Sequence, residues 1–470
     1  MRRFAFAAAV ILFGCGPSPT IVRPSELSLM TNPSSSAAPM PAPAPAPAPV
    51  IDAAPVTDGD VTVARVHGVD VLVKRIPGAE LAAMQLCIRG GARNVSAADA
   101  GIERLALRTA IAGGTSALDK DAYFRKLAAL GSNIGALTNP DYASLTGKTL
   151  TQHWDKTFEI LVDTFLRPAL PASEFELQKQ RQVAALRSED EDPDATLSVL
   201  AHRVLFAKHP FENRSIGTEA TVSKLTHDAV NVHLAKLRES GRLLFVTVGD
   251  VNPEHVIERV KAAFGGLPTG TYGQAPYPSI TFDKPSLQIT ERKLSTNYIQ
   301  ASFSAPRWGN PEFVDGMIAI DLLRSHLFEQ VRTKRNLSYA PGATFSTNHS
   351  VPTGYLYVTA TDPNTTLRVM FDEVRKLQDE PVSEDELAGA KATFLTRYLM
   401  QGESSDAQAE MLAAAFLLGG DWKFVRTLPE RVRAVTPGHI QAFAKTYMRR
   451  FQTVVLGDPS KIDGALFTSL

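Results

Sequence analysis

The sequence contains ten histidines and two cysteines, which provide the nitrogen and sulfur ligands that zinc sites use alongside carboxylates. Two histidines four residues apart on a helix can bind one zinc ion, and a glutamate between them can activate the bound water. No two histidines of this sequence have that spacing with a glutamate between them. Two cysteines are too few for a cysteine-rich zinc site or a disulfide framework. The sequence therefore contains no local motif for binding zinc.

The charges of the chain are balanced, with 49 lysines and arginines against 49 aspartates and glutamates. This balance gives no electrostatic case for a nucleic acid or an anionic membrane surface as a partner. The 470 residues indicate two or three domains, and a hydrophobic content of 44% is enough to form their cores.

Residues 1–15, MRRFAFAAAVILFGC, have the pattern of a secretion signal. Two arginines precede a run of ten apolar residues, which is too short to span a membrane. The end of the run resembles a bacterial lipobox, in which cleavage leaves an acylated cysteine, here Cys15, at the new N-terminus. An ordinary secretion signal that contains a cysteine is the alternative. We expect a signal peptide over residues 1–14 and a lipid anchor on Cys15. The anchor implies the bacterial cell envelope, with the outer membrane facing the periplasm favoured because no aspartate follows Cys15.

A proline-rich segment follows the predicted anchor. Of 31 prolines, 11 lie between residues 16 and 60, and residues 39–49 read PMPAPAPAPAP. Alternating proline favours polyproline II, which makes this tract a semi-rigid spacer of about 34 Å. We predict a lipid-anchored Pro/Ala-rich linker over residues 15–58 without secondary structure.

From residue 59 onward, strand-like and helix-like segments alternate, and a long repeat is present. Strands are predicted at 61–66, 71–74, 84–89 and 243–248, and helices at about 100–112, 119–130, 152–166, 173–188 and 194–206. A predicted helix begins at Leu225-Thr226, and the strand that follows it ends in Gly-Asp. The same order of helix, strand and Gly-Asp recurs from Val435-Thr436. The offset is 210 residues at the threonines and 208 at the Gly-Asp pairs. The pattern predicts a duplicated α+β domain, at 59–268 and 283–470, joined by a linker at 269–282.

Several segments together resemble the pitrilysin/insulinase family of zinc metallopeptidases, in its half-length bacterial form. They are residues 209–219 (HPFENRSIGTE), residues 246–250 (VTVGD) and residues 327–339 (LFEQVRTKRNLSY). The resemblance extends over about residues 59–460 and includes the duplication. It implies two homologous metallohydrolase-like α+β domains that face each other across a cleft.

Catalysis in that family depends on an H-x-x-E-H motif and a later glutamate. The matching helix here reads GIERLALRT over residues 101–109, so that the ligand positions fall on Arg104 and Arg108 and the base position on Leu107. The later glutamate falls on Ala184 or Ala185. Arginine stays protonated and offers only donors, and leucine cannot take a proton. We therefore predict no catalytic residue and no metal ligand in this chain.

The resemblance also implies two substrate-binding elements. An arginine and a tyrosine seven residues apart hold the peptide in the family, and Arg332 and Tyr339 match them; a solvated basic end of a helix is the alternative. Ala136 lies in a segment that resembles the family's edge strand, which pairs with an extended peptide. Gly135 stands where the family has asparagine, and an ordinary edge strand is the alternative.

Arg104 and Arg108 repel each other on one helix face unless another group compensates. We expect an internal salt bridge to a nearby carboxylate. The alternative is that both arginines face the chamber and bind an acidic group of a partner or a peptide.

Half-length members of the family are often paired, and one of the two subunits lacks the zinc motif. The resemblance therefore predicts a non-catalytic subunit that supplies Arg332 and Tyr339 to a zinc-bearing partner and holds no cofactor itself. The predicted partners are that subunit, an extended peptide substrate and, through the lipid anchor, a membrane. The alternatives are a non-proteolytic, lipid-anchored scaffold or peptide-binding protein and, less favoured, an active metalloendopeptidase with relocated ligands.

Overall fold

The structure is a computed structural model of the chain and describes residues 52–273 and 276–470. The predicted signal peptide, Cys15 and the tract at residues 39–49 lie outside the described residues. Across the two described ranges, we find no helix that is both long and apolar enough to cross a membrane.

A seven-stranded mixed sheet forms the centre of the N-terminal domain. Its strands are β1 (Ala53–Asp58), β2 (Val61–Val66), β3 (Val69–Arg75), β4 (Leu81–Arg89), β5 (Asn133–Thr138), β6 (Tyr142–Leu150) and β7 (Leu243–Gly249). Their order is β1-β2-β3-β7-β4-β6-β5; β3 and β7 are parallel, and the other neighbours are antiparallel. The four strands predicted in this domain are present. The β2–β3 hairpin turns at His67 and Gly68, which both have a positive φ.

Eight helices belong to the N-terminal domain as described. They are α1 (Ile102–Gly113), α2 (Lys120–Ala129), α3 (Trp154–Leu166), α4 (Ala172–Glu191), α5 (Pro193–Leu205), α6 (Glu219–Val222), α7 (His227–Leu237) and α8 (Pro253–Phe264). Side-chain caps fix several starts: Thr226 accepts a hydrogen bond from the backbone N–H of Ala229, and Asn252 accepts one from that of His255. The helices at 102–113, 120–129, 154–166, 172–191 and 193–205 lie where the sequence predicts them.

The C-terminal domain repeats this plan with a five-stranded sheet. Its strands are β8 (Ser286–Glu291), β9 (Asn297–Ser304), β10 (Gly342–Ser346), β11 (Thr353–Ala360) and β12 (Gln452–Gly457). Its helices are α9 (Glu312–Leu327), α10 (Pro363–Asp379), α11 (Glu384–Gln401), α12 (Ser405–Gly419), α13 (Phe424–Ala434), α14 (Pro437–Tyr447) and α15 (Gly464–Phe467), and a π-helical segment, Phe328–Thr333, extends α9.

The two sheets share one topology. The strand order β10-β11-β9-β12-β8 is the order β5-β6-β4-β7-β3 of the first sheet, and β8 is parallel to β12 as β3 is to β7. Thr436 caps α14 as Thr226 caps α7. The α+β duplication predicted from the 210-residue offset is therefore confirmed.

Each sheet buries one face under its own helices and the other under a helix of the other domain. Along β4, Met84 and Leu86 face α1 and α3, whereas Ala83 and Cys87 face α12. Reciprocally, α5 of the N-terminal domain packs on β9 and β12 of the second sheet. This exchange holds the two domains against each other. It also buries the Cys87 thiol, and burial raises the pKa of that thiol well above its ordinary value.

The structure corrects the predicted end of the linker. Residues 53–58 form β1 and pair with β2, although the linker was predicted to run to residue 58 without secondary structure. Val56 pairs with Val63, and Pro55 lies at an irregularity between Ala53 and Val56. A proline is tolerated there because β1 is the outermost strand of the sheet.

An aromatic cluster joins the two domains near the interdomain linker. Phe206 and Phe211 of the N-terminal domain lie edge-on to His349 of the C-terminal domain, with ring centroids 5.9 and 5.5 Å apart. Tyr277 of the linker packs on Phe211 at 4.3 Å. Burial, with smaller contributions from the charges of nearby histidines, lowers the pKa of His349 from 6.5 to about 4.

This cluster predicts a loss of stability in mild acid. The pKa of His349 is lower in the folded chain than in the unfolded chain, so the unfolded chain binds the proton first below pH 6.5. Protonation of His349 in the unfolded chain should therefore lower the unfolding free energy by about 3 kcal/mol as the pH falls from 6.5 to about 4. Urea unfolding across this range should show a smaller loss for His349→Gln than for the wild type. The control is His153→Gln, and an equal loss in all three proteins would contradict the assignment.

Candidate functional site

Arg332 and Tyr339 lie on one connection between α9 and the edge strand β10. The connection begins with the π-helical segment, where the backbone N–H of Lys334 donates to the carbonyl of Glu329. It then turns at Asn336, whose φ is 49°, and the N–H of Leu337 donates back to the carbonyl of Val331 at 2.9 Å. Val331 is fully buried and anchors the connection in the core. π-Helical turns recur at functional sites.

The two predicted peptide-binding side chains touch each other at the surface. The guanidinium carbon of Arg332 lies 4.0 Å from the centroid of the Tyr339 ring and 4.8 Å from that of Phe328. Tyr339 is 77% exposed, and Phe328 is 47% exposed. Within the described residues, no carboxylate forms an ion pair with Arg332. Its N–H donors remain available for a peptide carbonyl, and the phenol of Tyr339 remains available for an oxyanion.

Ala136 lies on β5, which forms an edge of the first sheet. A tight turn connects β5 to β6, because the side-chain oxygen of Asn139 accepts hydrogen bonds from the backbone N–H groups of Asp141 and Tyr142. Ala136 packs partly against the core, and Leu137 points the other way and is 51% exposed. A Cβ added at Gly135 would meet the hydroxyl of Thr146 at 3.0 Å, so an asparagine there would require Thr146 to shift.

A groove runs along the face of β5 that points toward the C-terminal domain. Two cavities of about 320 and 410 Å³ share Leu137 and Glu410 in their walls. The larger cavity is lined mainly by apolar side chains of the C-terminal domain, among them Trp308, Met411 and Phe424. Tyr142 and Gln85 donate hydrogen bonds to Glu410, at 2.9 and 2.7 Å, and fix its carboxylate between the domains.

The residues at the predicted zinc positions do not fit a zinc ion. Leu107, at the base position, is 1% exposed and belongs to the core of the N-terminal domain. Arg104 is half-buried, Arg108 is exposed, and Ala184 and Ala185 are exposed on α4, which packs beside α1. Two cations, a buried leucine and two methyl groups supply no metal ligand. Within residues 52–273 and 276–470, no group of three or more His, Cys, Asp or Glu side chains could hold a metal ion.

The expected salt bridges of Arg104 and Arg108 are absent from the described residues, so that expectation is wrong. The charge of Glu189 acts on Arg104, and Glu189 already accepts a hydrogen bond from Arg214 at 2.7 Å. Burial, and next to it the charge of Arg108, lowers the pKa of Arg104. The two arginines therefore carry positive charge without a counterion of their own in this part of the chain.

Two polar groups near these elements are not predictable from the sequence. Glu103 is 5% exposed and lies between Asn94 and His233, with its carboxylate 3.3 Å from the His233 ring. Glu410 reaches Gln85 across 325 residues of sequence. Neither contact has a local pattern, and only the fold brings these residues together.

Residues 70–219 match the family described as Insulinase (Peptidase family M16), and residues 224–394 match the Peptidase M16 inactive domain. Non-peptidase homolog YmxG of Helicobacter pylori is 22% identical over 373 residues, covering 77% of this chain and 85% of that protein. Mitochondrial-processing peptidase subunit beta of Saccharomyces cerevisiae is 19% identical over 426 residues, covering 84% and 90%.

Solved structures share the fold. A protease from Helicobacter pylori superimposes with a TM-score of 0.76 at 16% identity, covering 85% of this chain and 99% of that one. The periplasmic protease PqqL from Escherichia coli gives 0.73 at 15% identity, covering 88% of this chain and 47% of that one.

The fold defines a duplicated α+β protein of the metallopeptidase type, and the residues at its predicted zinc positions supply no metal ligand. The two matched segments lie in tandem and together cover more than half of the chain. The chain belongs to the M16 insulinase/pitrilysin family, in its half-length bacterial form.

The burial of Leu107 yields a direct prediction. Leu107→Glu places a carboxylate in the apolar core and should lower the unfolding free energy by more than about 3 kcal/mol. The matched control Leu107→Met conserves volume and should cost less than about 1.5 kcal/mol. Urea unfolding at neutral pH measures both. A Leu107→Glu variant as stable as the wild type would mean that this position opens to water, as a catalytic glutamate requires.

Proposed function

We propose that this chain is a non-catalytic, peptide-binding subunit of an M16 peptidase. The observation that carries the proposal is a combination within one chain. The zinc positions hold Arg104, Leu107 and Arg108, whereas Arg332 and Tyr339 are in contact at the surface. The first half of this combination removes the metal chemistry, and the second half retains groups suited to holding a peptide.

Each retained group has a distinct role in the proposal. Arg332 donates hydrogen bonds to a carbonyl of the bound peptide and holds it against the exposed connection. The Tyr339 hydroxyl donates to the oxyanion that forms when the peptide bond is attacked at the partner's metal. Strand β5, with Ala136 at its centre, pairs with the peptide through backbone hydrogen bonds, which accept many sequences. No bond is made or broken by a group of this chain.

The proposed partner is a zinc-bearing member of the same family. Support comes from the likeness to a protein that is itself named as one subunit of a processing peptidase. In this arrangement zinc belongs to the partner, and this chain holds no cofactor.

The proposed location is the bacterial cell envelope. The signal-like residues 1–14, the lipobox cysteine Cys15 and the proline-rich spacer favour a lipid-anchored protein held away from the membrane. The periplasmic protease PqqL, which shares the fold, is consistent with an outer-membrane anchor facing the periplasm.

A second candidate function is a non-proteolytic peptide-binding scaffold. The likeness to a protein named non-peptidase homolog YmxG favours it, as does a groove along β5 that needs no partner to be complete. The two candidates differ in whether Arg332 and Tyr339 matter to a peptidase rate.

Reconstitution with a zinc-bearing M16 relative from the same genome tests the proposal. The rate of cleavage of fluorogenic peptides should rise when this chain is added. Arg332→Ala and Tyr339→Phe should each lower that rate by about 10²-fold, because the first removes the donor that holds the peptide carbonyl and the second removes the donor to the oxyanion.

The matched control is Arg335→Ala. Arg335 is exposed on the same connection and donates only to Gln330 among the described residues. Its variant should keep the full rate, and size-exclusion chromatography should show that all variants still form the complex. An unchanged rate in Arg332→Ala and Tyr339→Phe complexes would refute the subunit role and favour the scaffold.

A further inference from the structure

Strand β5 offers two chemically different surfaces to a peptide that pairs with it. Ile134 and Ala136 point to the face that α1 covers, and Gly135 and Leu137 point to the opposite face, which borders the groove beside α12. Successive side chains of a paired peptide alternate between these two faces in the same way. Each face therefore selects every second residue of a bound peptide.

The α1 side of the edge carries uncompensated positive charge. Arg104 and Arg108 lie one turn apart on α1, and α1 packs against β5. Neither arginine forms an ion pair with a carboxylate within the described ranges, and Glu189, whose charge acts on Arg104, is bound by Arg214. A half-buried guanidinium without a counterion is unfavourable, and a carboxylate that arrives with a ligand removes that cost.

The α12 side carries the opposite charge. Asp406 and Glu410 line the groove beside Leu137. Lys148 pairs with Asp406 at 2.9 Å, but Glu410 accepts only from the neutral donors Gln85 and Tyr142 in the described structure. An acidic side chain on this face would meet a negative charge, whereas an apolar one would find Leu137 and the apolar walls of the 410 Å³ cavity.

We propose that Arg104 and Arg108 form a binding site for acidic side chains of an extended peptide, so that the chain selects peptides in which acidic and apolar residues alternate. This inference rests on the proposed pairing of a peptide with β5 and adds the class of peptide. In this proposal the arginines at the predicted zinc positions determine specificity. The two faces of β5 contact alternate side chains of the bound peptide.

Three fluorescent peptides of about ten residues test the inference with the full chain. The first alternates Glu and Val. The second has the same composition and charge in Glu-Glu-Val-Val order, which sends acidic residues to both faces. The third alternates Gln and Val. Fluorescence anisotropy should show the first binding about tenfold more tightly than either of the others, because only it places carboxylates exclusively on the α1 face, where Arg104 and Arg108 lie.

The double variant Arg104→Gln/Arg108→Gln separates the site from general electrostatics. It should weaken binding of the Glu-Val peptide about tenfold and change binding of the Gln-Val peptide less than about twofold. Arg368→Gln, at an exposed arginine on α10 of the C-terminal domain, is the control and should leave all three affinities unchanged.

The outcomes distinguish this inference from the proposed function. If all three peptides bind with equal affinity, or if the double variant binds them as the wild type does, the acidic site is refuted and peptide binding along β5 survives. If none of the three peptides binds, both the acidic site and the proposed peptide-binding function are refuted.

Discussion

Each domain uses one of its helices to cover the open face of the other domain's sheet, and the rest of this structure depends on this reciprocal packing. Each sheet is apolar on both faces, but the helices of its own domain cover only one face; α12 covers the remaining face of the first sheet, and α5 that of the second. Separating the domains would expose both surfaces to water. The edge strands β5 and β10, helix α1 with Arg104, and the connection that carries Arg332 are therefore held by a core that spans both domains.

The same core holds helix α1 in place without help from a metal ion. Leu107 fills space among the buried residues of the N-terminal domain, and α1 is further fixed by Gln182, which donates to the carbonyls of Gly101 and Ile216. Helix α1 thus keeps a structural role that needs no zinc, and its outer face is free to carry the two arginines. The π-helical segment before Tyr339 is anchored by the buried Val331 in a comparable way, which leaves Arg332 and Tyr339 at the surface.

Local sequence patterns predict much of the fold. They predict less of the candidate site, because contacts between residues distant in the sequence determine its charges. Capping residues such as Thr226 and Thr436 can be recognised in the sequence, because each accepts a hydrogen bond from a backbone N–H within the first turn of its helix. Their equivalent positions in the two halves of the chain indicate the duplication. Strand β1 is not predictable from its composition, since its pairing with β2 outweighs the effect of Pro55. The sequence also does not show that Arg104 lacks an ion-pair partner, because Glu189 instead pairs with Arg214, a residue 25 positions further along the chain. Sequence spacing predicts which residues stand at the family's zinc positions, but only the fold determines which of their charges lack an ion-pair partner.

The proposed function rests on the absence of the family's zinc site from this chain. Its most direct test is the zinc content of the purified full chain after equilibrium dialysis against micromolar zinc at neutral pH, measured by inductively coupled plasma mass spectrometry. The account predicts far less than one zinc ion per chain, because arginine, leucine and alanine supply no ligand at the positions where the family binds its metal. About one zinc ion per chain, retained through dialysis against buffer without zinc, would contradict it.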